Sequence, residues 1–414
     1  MKGHTVNSER LLERFLSYVK VDTKAEPNSG TYPSSSGQLE LGALVKKELE
    51  KMGASSIKLD EHGILVATIP SNVEHDVPVI AFNSHFDTSP ESSGTNVKPN
   101  VIRNYDGNDI QLSGDTSKVI TVADCPELSE LVGSTLITTD GTTLLGGDDK
   151  AGIAIIMEMA ESLLEQPEIK HGEIRLLFTC DEEIGHGIDH VDVKALNATA
   201  CYTVDGGGKG MVDVETFSAD GVTVRVKGIN IHPSIGKDRM VNALRAAGTL
   251  LDRLPRECSP EATDGRDGFI HPYYISGGVD EVTVEIIVRS FETPELDDFA
   301  NTIREICKEI ESASGTQIEV NAFKQYRNLG DGLKKDPRVV DNAVEAHRRL
   351  GLDVKKSIIR GGTDGSGLTE KGLPTPNLSS GQHNQHSPLE WACLEEMEQA
   401  CHVITEISKI WAEA

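Results

Sequence analysis

The chain has 414 residues, too many for one ordinary hydrophobic core, so two domains are expected. Its 66 acidic side chains against 40 basic ones give a formal charge of −26, a surface that repels nucleic acid and anionic membrane. No stretch approaches the ~20 apolar residues of a membrane-spanning helix, and the seven scattered cysteines, never spaced as CxxC, exclude a disulfide framework or a cysteine-type zinc site. Any metal must therefore be held by histidine and carboxylate, and a cytoplasmic location is expected.

The opening MKGHTVNSERLLERF has no apolar signal core and reads as an amphipathic helix capped near Asn7 or Ser8. QLELGALVKKELEKMG has helical apolar spacing and closes at Gly53, a C-cap. GILVATIP and VPVIAFNS are short, β-rich and bounded by turn residues. Residues 96–138, rich in Gly, Asp and Thr, suggest a β-ribbon excursion. DDKAGIAIIMEMAESLLEQ follows as a helix, then GEIRLLFTC and ATACYTVDG as buried strands. Strands alternating with helices imply the α/β class, with a sheet covered by helices.

After Asp213 the pattern changes. DGVTVRVKG alternates with period two, MVNALRAAGTLLDRL is helical, and GFIHPYYIS and EVTVEIIVRSF are strands joined by GGVD. PELDDFANTIREICKEIESAS is a helix and QIEVNAFKQY a strand. The order β-α-β-β-α-β is that of a ferredoxin-like α+β sandwich. An inserted domain at 214–328 is expected, dividing a first domain into 1–213 and 329–414. DPRVVDNAVEAHRRLG, KKSIIRG and CLEEMEQACHVITEISKIW restore the α/β pattern, with Met397, Cys401, Ile404 and Trp411 as a core-facing stripe.

Chemistry-bearing residues stand where these elements end. In NSHFDTSP, His85 and Asp87 are two apart, and residues i and i+2 of a strand share a face. Open α/β sheets place their sites at the carboxyl ends of strands. A carboxylate beside a histidine fixes the ring tautomer and frees the other nitrogen for a metal. In LLGGDDKAG, Asp148 and Asp149 open a helix, where acids complement the dipole, but Asp148 can also be pushed into the cleft. LLFTCDEEIGHG ends a strand in Asp181, Glu182 and Glu183, which repel one another unless a cation is present. CYTVDGG delivers Asp205, and SGQHNQHSPLEW sets His383 and His386 ahead of the last helix. Two histidines and three or four carboxylates suit borderline divalent metals, zinc first. One bridging carboxylate would suit two ions about 3.5–4 Å apart.

In order along the chain, NSHFDTSP, DDKAG, DEEIG, YTVDGG, VKGINIHP with MVNAL, TDGRDGF, IIVRSFE, GGTDGSGL and the final NQH…E resemble the co-catalytic dizinc peptidase family that includes aminoacylase and carboxypeptidase G. Within it the chain is most similar to the tripeptide aminopeptidases. The resemblance implies a zinc-peptidase catalytic domain with a mixed sheet covered by helices, plus an inserted lid domain of the dimerisation type. It implies two Zn2+ per subunit, one held by His85, Asp148 and Asp205, the other by Asp148, Glu183 and His386, with Asp148 bridging. Asp87 would orient His85, and Glu182 would be the general base. The family pattern fits Asn384, His386 and Glu390 better than His383. Asp205 is similar to the aminopeptidase branch, where the carboxypeptidase branch favours Glu. Gly147 stands where the family often has Ala. His232 would reach the oxyanion from the lid. Arg289 and Arg360 are candidates for the peptide carboxylate, which guanidinium binds bidentately. GGTDGSG, with Thr363, would offer backbone and hydroxyl donors.

The activity so implied is removal of the N-terminal residue from tripeptides by a zinc-activated water, with Glu182 moving its proton. The expected partners are small peptides, with no nucleic acid and no membrane, and the protein is a monomer or homodimer. Another reaction of the family (dipeptidase, carboxypeptidase or N-acyl-amino-acid deacylase) is the alternative, against which Asp205 and TDGRDGF weigh. A peptide-binding protein without catalysis would not need Glu182. No GxGxxG follows the first strand and no GxSxG elbow is present, so nucleotide and serine-hydrolase readings fail.

Overall fold

The computed structural model describes residues 6–413. The chain divides into two units: one runs up to Val214 and takes in Leu329–Ile358 and the chain from Thr363 on, the other is Glu215–Asn328 with Ile359–Gly362. The second unit is therefore not one insertion but an insertion plus a short returning segment.

Helices α1 (Ser8–Tyr18) and α2 (Ser36–Met52) lead into strands β1 (Ser55–Leu59), β2 (Leu65–Ile69) and β3 (Ile80–His85). Asn7 caps α1, its side chain accepting from the Arg10 N–H at 3.1 Å, and α2 ends at Gly53 with φ 92°. The excursion holds β4 (Asn100–Ile102), the small antiparallel pair β5 (Ile110–Gln111) and β6 (Val119–Ile120), and β7 (Leu136–Thr138). Next come α3 (Gly147–Glu165), β8 (Ile174–Thr179), α4 (Val193–Leu196), β9 (Ala200–Gly207) and β10 (Met211–Thr216). The second unit contains β11 (Ser218–Lys227), α5 (Ala243–Arg253), β12 (Phe269–Gly277), β13 (Glu281–Ser290), α6 (Glu295–Ser314) and β14 (Gln317–Tyr326). The first unit resumes with α7 (Gly330–Leu333), α8 (Arg338–Leu350), β15 (Lys355–Ile359), α9 (Asp364–Glu370), β16 (Asn377–His383), β17 (Trp391–Cys393) and α10 (Leu394–Ala412).

The large sheet is mixed, in the order β1-β2-β8-β3-β9-β16-β17-β7-β4, with β10 joining β15 to β16. Its centre, β8-β3-β9-β16, is parallel, so the carboxyl ends of these strands open on one edge. Helix α3 packs on β3, β9 and β16 and against α1 and α10. It is buried from Lys150 to Ala160, which explains its apolar run without a polar face. Gly152 permits this: a Cβ there would stand 2.0 Å from the Val204 carbonyl oxygen of β9.

Strand β16 is absent from the sequence expectations. NLSSGQH is largely polar, yet all of it but His383 is buried between β9 and β17. In the second unit β12-β13-β11-β14 form an antiparallel sheet, with Val222, Val224 and Val226 of β11 turned to a core shared with α5 and α6.

Candidate metal centre

The ends of the parallel strands and the start of α3 bring five predicted ligands to one place. His85, the last residue of β3, lies with Nε2 3.1 Å from Asp148 Oδ1 and 3.6 Å from Asp205 Oδ1 near the end of β9. His386, in the loop after β16, lies with Nε2 3.3 Å from Asp148 Oδ2 and 3.0 Å from Glu183 Oε2. Asp148 thus faces one imidazole with each oxygen. Glu182, beside Glu183 in the turn after β8, has Oε2 3.9 Å from His85 Nε2.

Local structure explains these positions. Strand β3 stops at His85, so Asp87 is not on the same strand face, as the sequence spacing suggests, but in the loop beyond. Its main-chain oxygen faces His85 Nδ1 at 3.1 Å, and its carboxylate is 3.4 Å from the same nitrogen. A carbonyl only accepts, so Nδ1 carries the proton and Nε2 points into the cluster. The Asp87 carboxylate also accepts from the N–H groups of Glu182 at 3.1 Å and Glu183 at 3.0 Å. Asp148 and Asp149 do not start a regular helix: both have non-helical dihedral angles, and the peptide between them is cis. Asp149 turns away from the cluster and accepts from the Ser84 hydroxyl at 2.5 Å. The third acid of the run, Asp181, is tied to Ser34 and to Gln38, 2.7 Å away.

Electrostatics separates these acids. Burial, and then the Asp148 charge, push Glu183 up to about 8 and Asp205 up to about 7. Burial also raises Glu182 well above the carboxylate range. Asp148 is lowered despite its burial, because it accepts from both imidazoles. His386 is pushed up to about 11 by its bonds to Asp148 and Glu183. His85 is raised too: burial opposes this, but Asp148 and Asp205 outweigh it. Lys150 brings no relief, since its ammonium donates to the Val21 carbonyl at 2.8 Å.

Two imidazoles do not balance four carboxylates, and Glu183 Oε1 is buried without a partner. The donor atoms of His85, Asp148 and Asp205 lie within 4.8 Å of one another, as do those of Asp148, Glu183 and His386. Two nitrogen–oxygen triads sharing one carboxylate fit a pair of divalent cations.

Other predicted residues are engaged elsewhere. His383 stacks on Trp391 with ring centroids 3.8 Å apart and pairs with Glu396 at 2.7 Å. Thr363 caps α9, accepting from Gly365 N–H at 3.0 Å. Arg360 belongs to the second unit, where it donates to the carbonyls of Gly265 at 2.9 Å and Asp267 at 3.0 Å and lies over Phe217. Arg289, also there, donates to the Val288 carbonyl at 3.0 Å and lies 5.4 Å from the centre of the Tyr326 ring. His232, exposed in the second unit, accepts at Nδ1 from Ser234 N–H at 3.2 Å, which leaves the ring proton on Nε2.

Two buried acids were given no role in the sequence reading. Asp364 accepts from the Thr179 hydroxyl at 2.5 Å and the Asn83 amide at 3.4 Å, and burial pushes it up to about 6. Glu390 accepts from three main-chain N–H groups around Asp148. In the sequence Glu390 stood only as the last member of the pattern with Asn384 and His386, and Asp364 only as part of GGTDGSG.

The model of peptidase family M20/M25/M40 matches residues 140–409. A peptidase T of Geobacillus sp. (strain WCH70) is 43% identical over 404 residues, 97% of this chain and 98% of its own. A peptidase T of Bacillus subtilis (strain 168) is 43% identical over 402 residues, with 97% and 98% covered. The crystal structure of a tripeptidase from Staphylococcus aureus superposes with a TM-score of 0.79 at 26% identity, covering 99% of this chain and all of that one. That of aminopeptidase PepT from Bacillus cereus gives 0.77 at 23%, covering 98% and 99%, and shares the fold.

Proposed function

The chain belongs to the M20/M25/M40 peptidases, and from that premise we propose that it is a tripeptide aminopeptidase working with two zinc ions. The observation that carries the chemistry is the pair of triads joined at Asp148, with Glu182 alongside. The substrate class rests on the relatives named peptidase T, 42–43% identical over nearly the whole chain.

His85, Asp148 and Asp205 would hold one ion, and Asp148, Glu183 and His386 the other. When bound, such a pair supplies Lewis acidity towards the scissile carbonyl and towards water. The chain supplies the proton path. Glu182 is fixed through its own N–H by Asp87 and stands beside the triads, placed for a base that takes a proton from water and returns it to the leaving amine. His85 keeps its Nδ1 proton on Asp87, which holds Nε2 as the donor atom. His232 is assigned as a substrate contact through its Nε2–H. Arg289 and Arg360 are kept as candidates for the peptide carboxylate and Thr363 as a candidate hydroxyl donor to substrate: the hydrogen bonds of Arg289 leave from Nη1, and those of Arg360 from Nη1 and Nη2.

No described helix is long and apolar enough to cross a membrane. A cytoplasmic location is proposed on the seven unpaired thiols, six of them buried. The deciding experiment follows free amino acid released from a tripeptide, its N-blocked form and the corresponding dipeptide, with and without chelator. Cleavage of the tripeptide alone, abolished by chelation, is expected. Equal cleavage of the blocked form or the dipeptide would instead favour the deacylase or dipeptidase alternative.

A further inference from the structure

Glu390 stands outside both triads, yet it touches the parts of the chain that present the shared Asp148 and the His386 of the second triad. It is 1% exposed. Its Oε2 accepts from the N–H groups of Leu145 at 2.7 Å and Gly146 at 2.8 Å, and its Oε1 from that of Asp148 at 3.1 Å. The fit is close: a Cβ on Gly147 would come within 3.1 Å of Oε1. The backbone of Glu390 belongs to the His386 loop. Its N–H donates to the Ser387 carbonyl at 3.1 Å, and the Asn384 amide donates to the Leu389 carbonyl at 3.2 Å, closing the turn that carries His386. One residue therefore ties the turn presenting Asp148 to the loop presenting His386, and these two side chains face each other across 3.3 Å.

We propose that Glu390 is a positioning residue that sets the separation of Asp148 and His386 and so governs how tightly the second cation is held, an inference that rests on the two-cation reading above. A carboxylate suits the task because each oxygen meets only N–H donors. In an isosteric Gln one oxygen becomes NH2, which faces a donor and must give up either the Leu145–Gly146 side or Asp148.

The test titrates chelated protein with Co2+, read by visible absorption, and with Zn2+, read by calorimetry, for the wild type, Glu390→Gln and Glu390→Asp. The wild type should take up two ions per chain. In Glu390→Gln the weaker-bound ion should lose affinity by about 10–100-fold, with a changed Co2+ spectrum, and Glu390→Asp should recover part of the loss. The melting temperature of each metal-free form separates this from a general loss of structure, which would not alter the spectrum of the folded fraction. Wild-type affinity and spectrum in Glu390→Gln overturn the proposal. Should that variant fail to fold, Glu390→Asp decides: weakened uptake supports the proposal, and wild-type uptake overturns it. A wild type that takes up no ions would refute the underlying reading itself, a distinct result.

Discussion

Helix α3 carries two buried clusters of carboxylates with opposite fates. At Glu158 the chain supplies the counter-charge. Arg10 donates to its carboxylate at 2.7 and 2.8 Å and Arg14 at 3.1 Å, and the Asn7 N–H and Ser162 hydroxyl complete the shell. Both arginines continue outwards to Glu161, and Arg14 to Glu48. At Asp148 the same helix begins among Glu182, Glu183 and Asp205 with two histidines as the only cationic partners in the triads. The first cluster stabilises the fold unaided. The second is balanced by protons held on Glu183, Asp205 and the two imidazoles, places that divalent cations can take over. The lesson is that a buried acid is read by its partners rather than by its burial.

The sharpest break falls on the carboxylate assigned to chemistry and not to charge balance. Glu182→Gln should lower kcat by about 10²–10⁴-fold while metal content by elemental analysis stays at the wild-type level. Retained turnover would remove the base from the scheme. At the self-neutralised cluster, Arg14→Leu should cost about 1.5–3 kcal/mol of stability, because Glu158 loses one charge-assisted bond and keeps the guanidinium of Arg10. Denaturant melts of metal-loaded protein should show this loss with kcat/KM unchanged. Chelation should do the reverse: activity disappears, and the unfolding free energy falls by about 3–4 kcal/mol for each of the two ions relative to protein in ions at 100–1,000 times Kd. The Arg14→Leu variant should lose the same further increment.

The smallest effect is a pH slope. Without ions, Asp205 at about 7, Glu183 at about 8 and His386 at about 11 all lie above their ordinary values. A raised value means that the folded form binds more protons than the unfolded one. The associated stability is complete below the unfolded carboxylate value and is lost as pH rises through the folded ones. Chelated protein should therefore melt lower at about pH 8 than at about pH 5, a window set by the two carboxyl groups. Loaded protein, whose ligands are already deprotonated, should not show that fall.

Where apolar strands end in charged residues, the sequence was informative. FNSHFD, TCDEE and YTVDGG each switch from a buried run to acids or imidazole, and chain order did the rest. Strand β16 was illegible for a physical reason. Its burial is stabilised by hydrogen bonds and not by apolar area: Asn377 donates to Asp213 at 3.0 Å, Ser380 to the Gly206 carbonyl at 3.0 Å, and Gln382 to the Asp205 carbonyl at 2.9 Å. Hydrophobic periodicity has no access to such a strand. The contacts of Glu390 and Asp364 were hidden because their partners are remote in sequence or are main-chain amides.

The first unit is assembled from separate stretches of chain, and the donors follow the same division: Asp205 precedes the second unit, while His386 comes long after it. On the ribosome, one triad can be complete while the other still lacks its imidazole. A nascent polypeptide halted before His386 would own a single full coordination set and no hydrolytic competence.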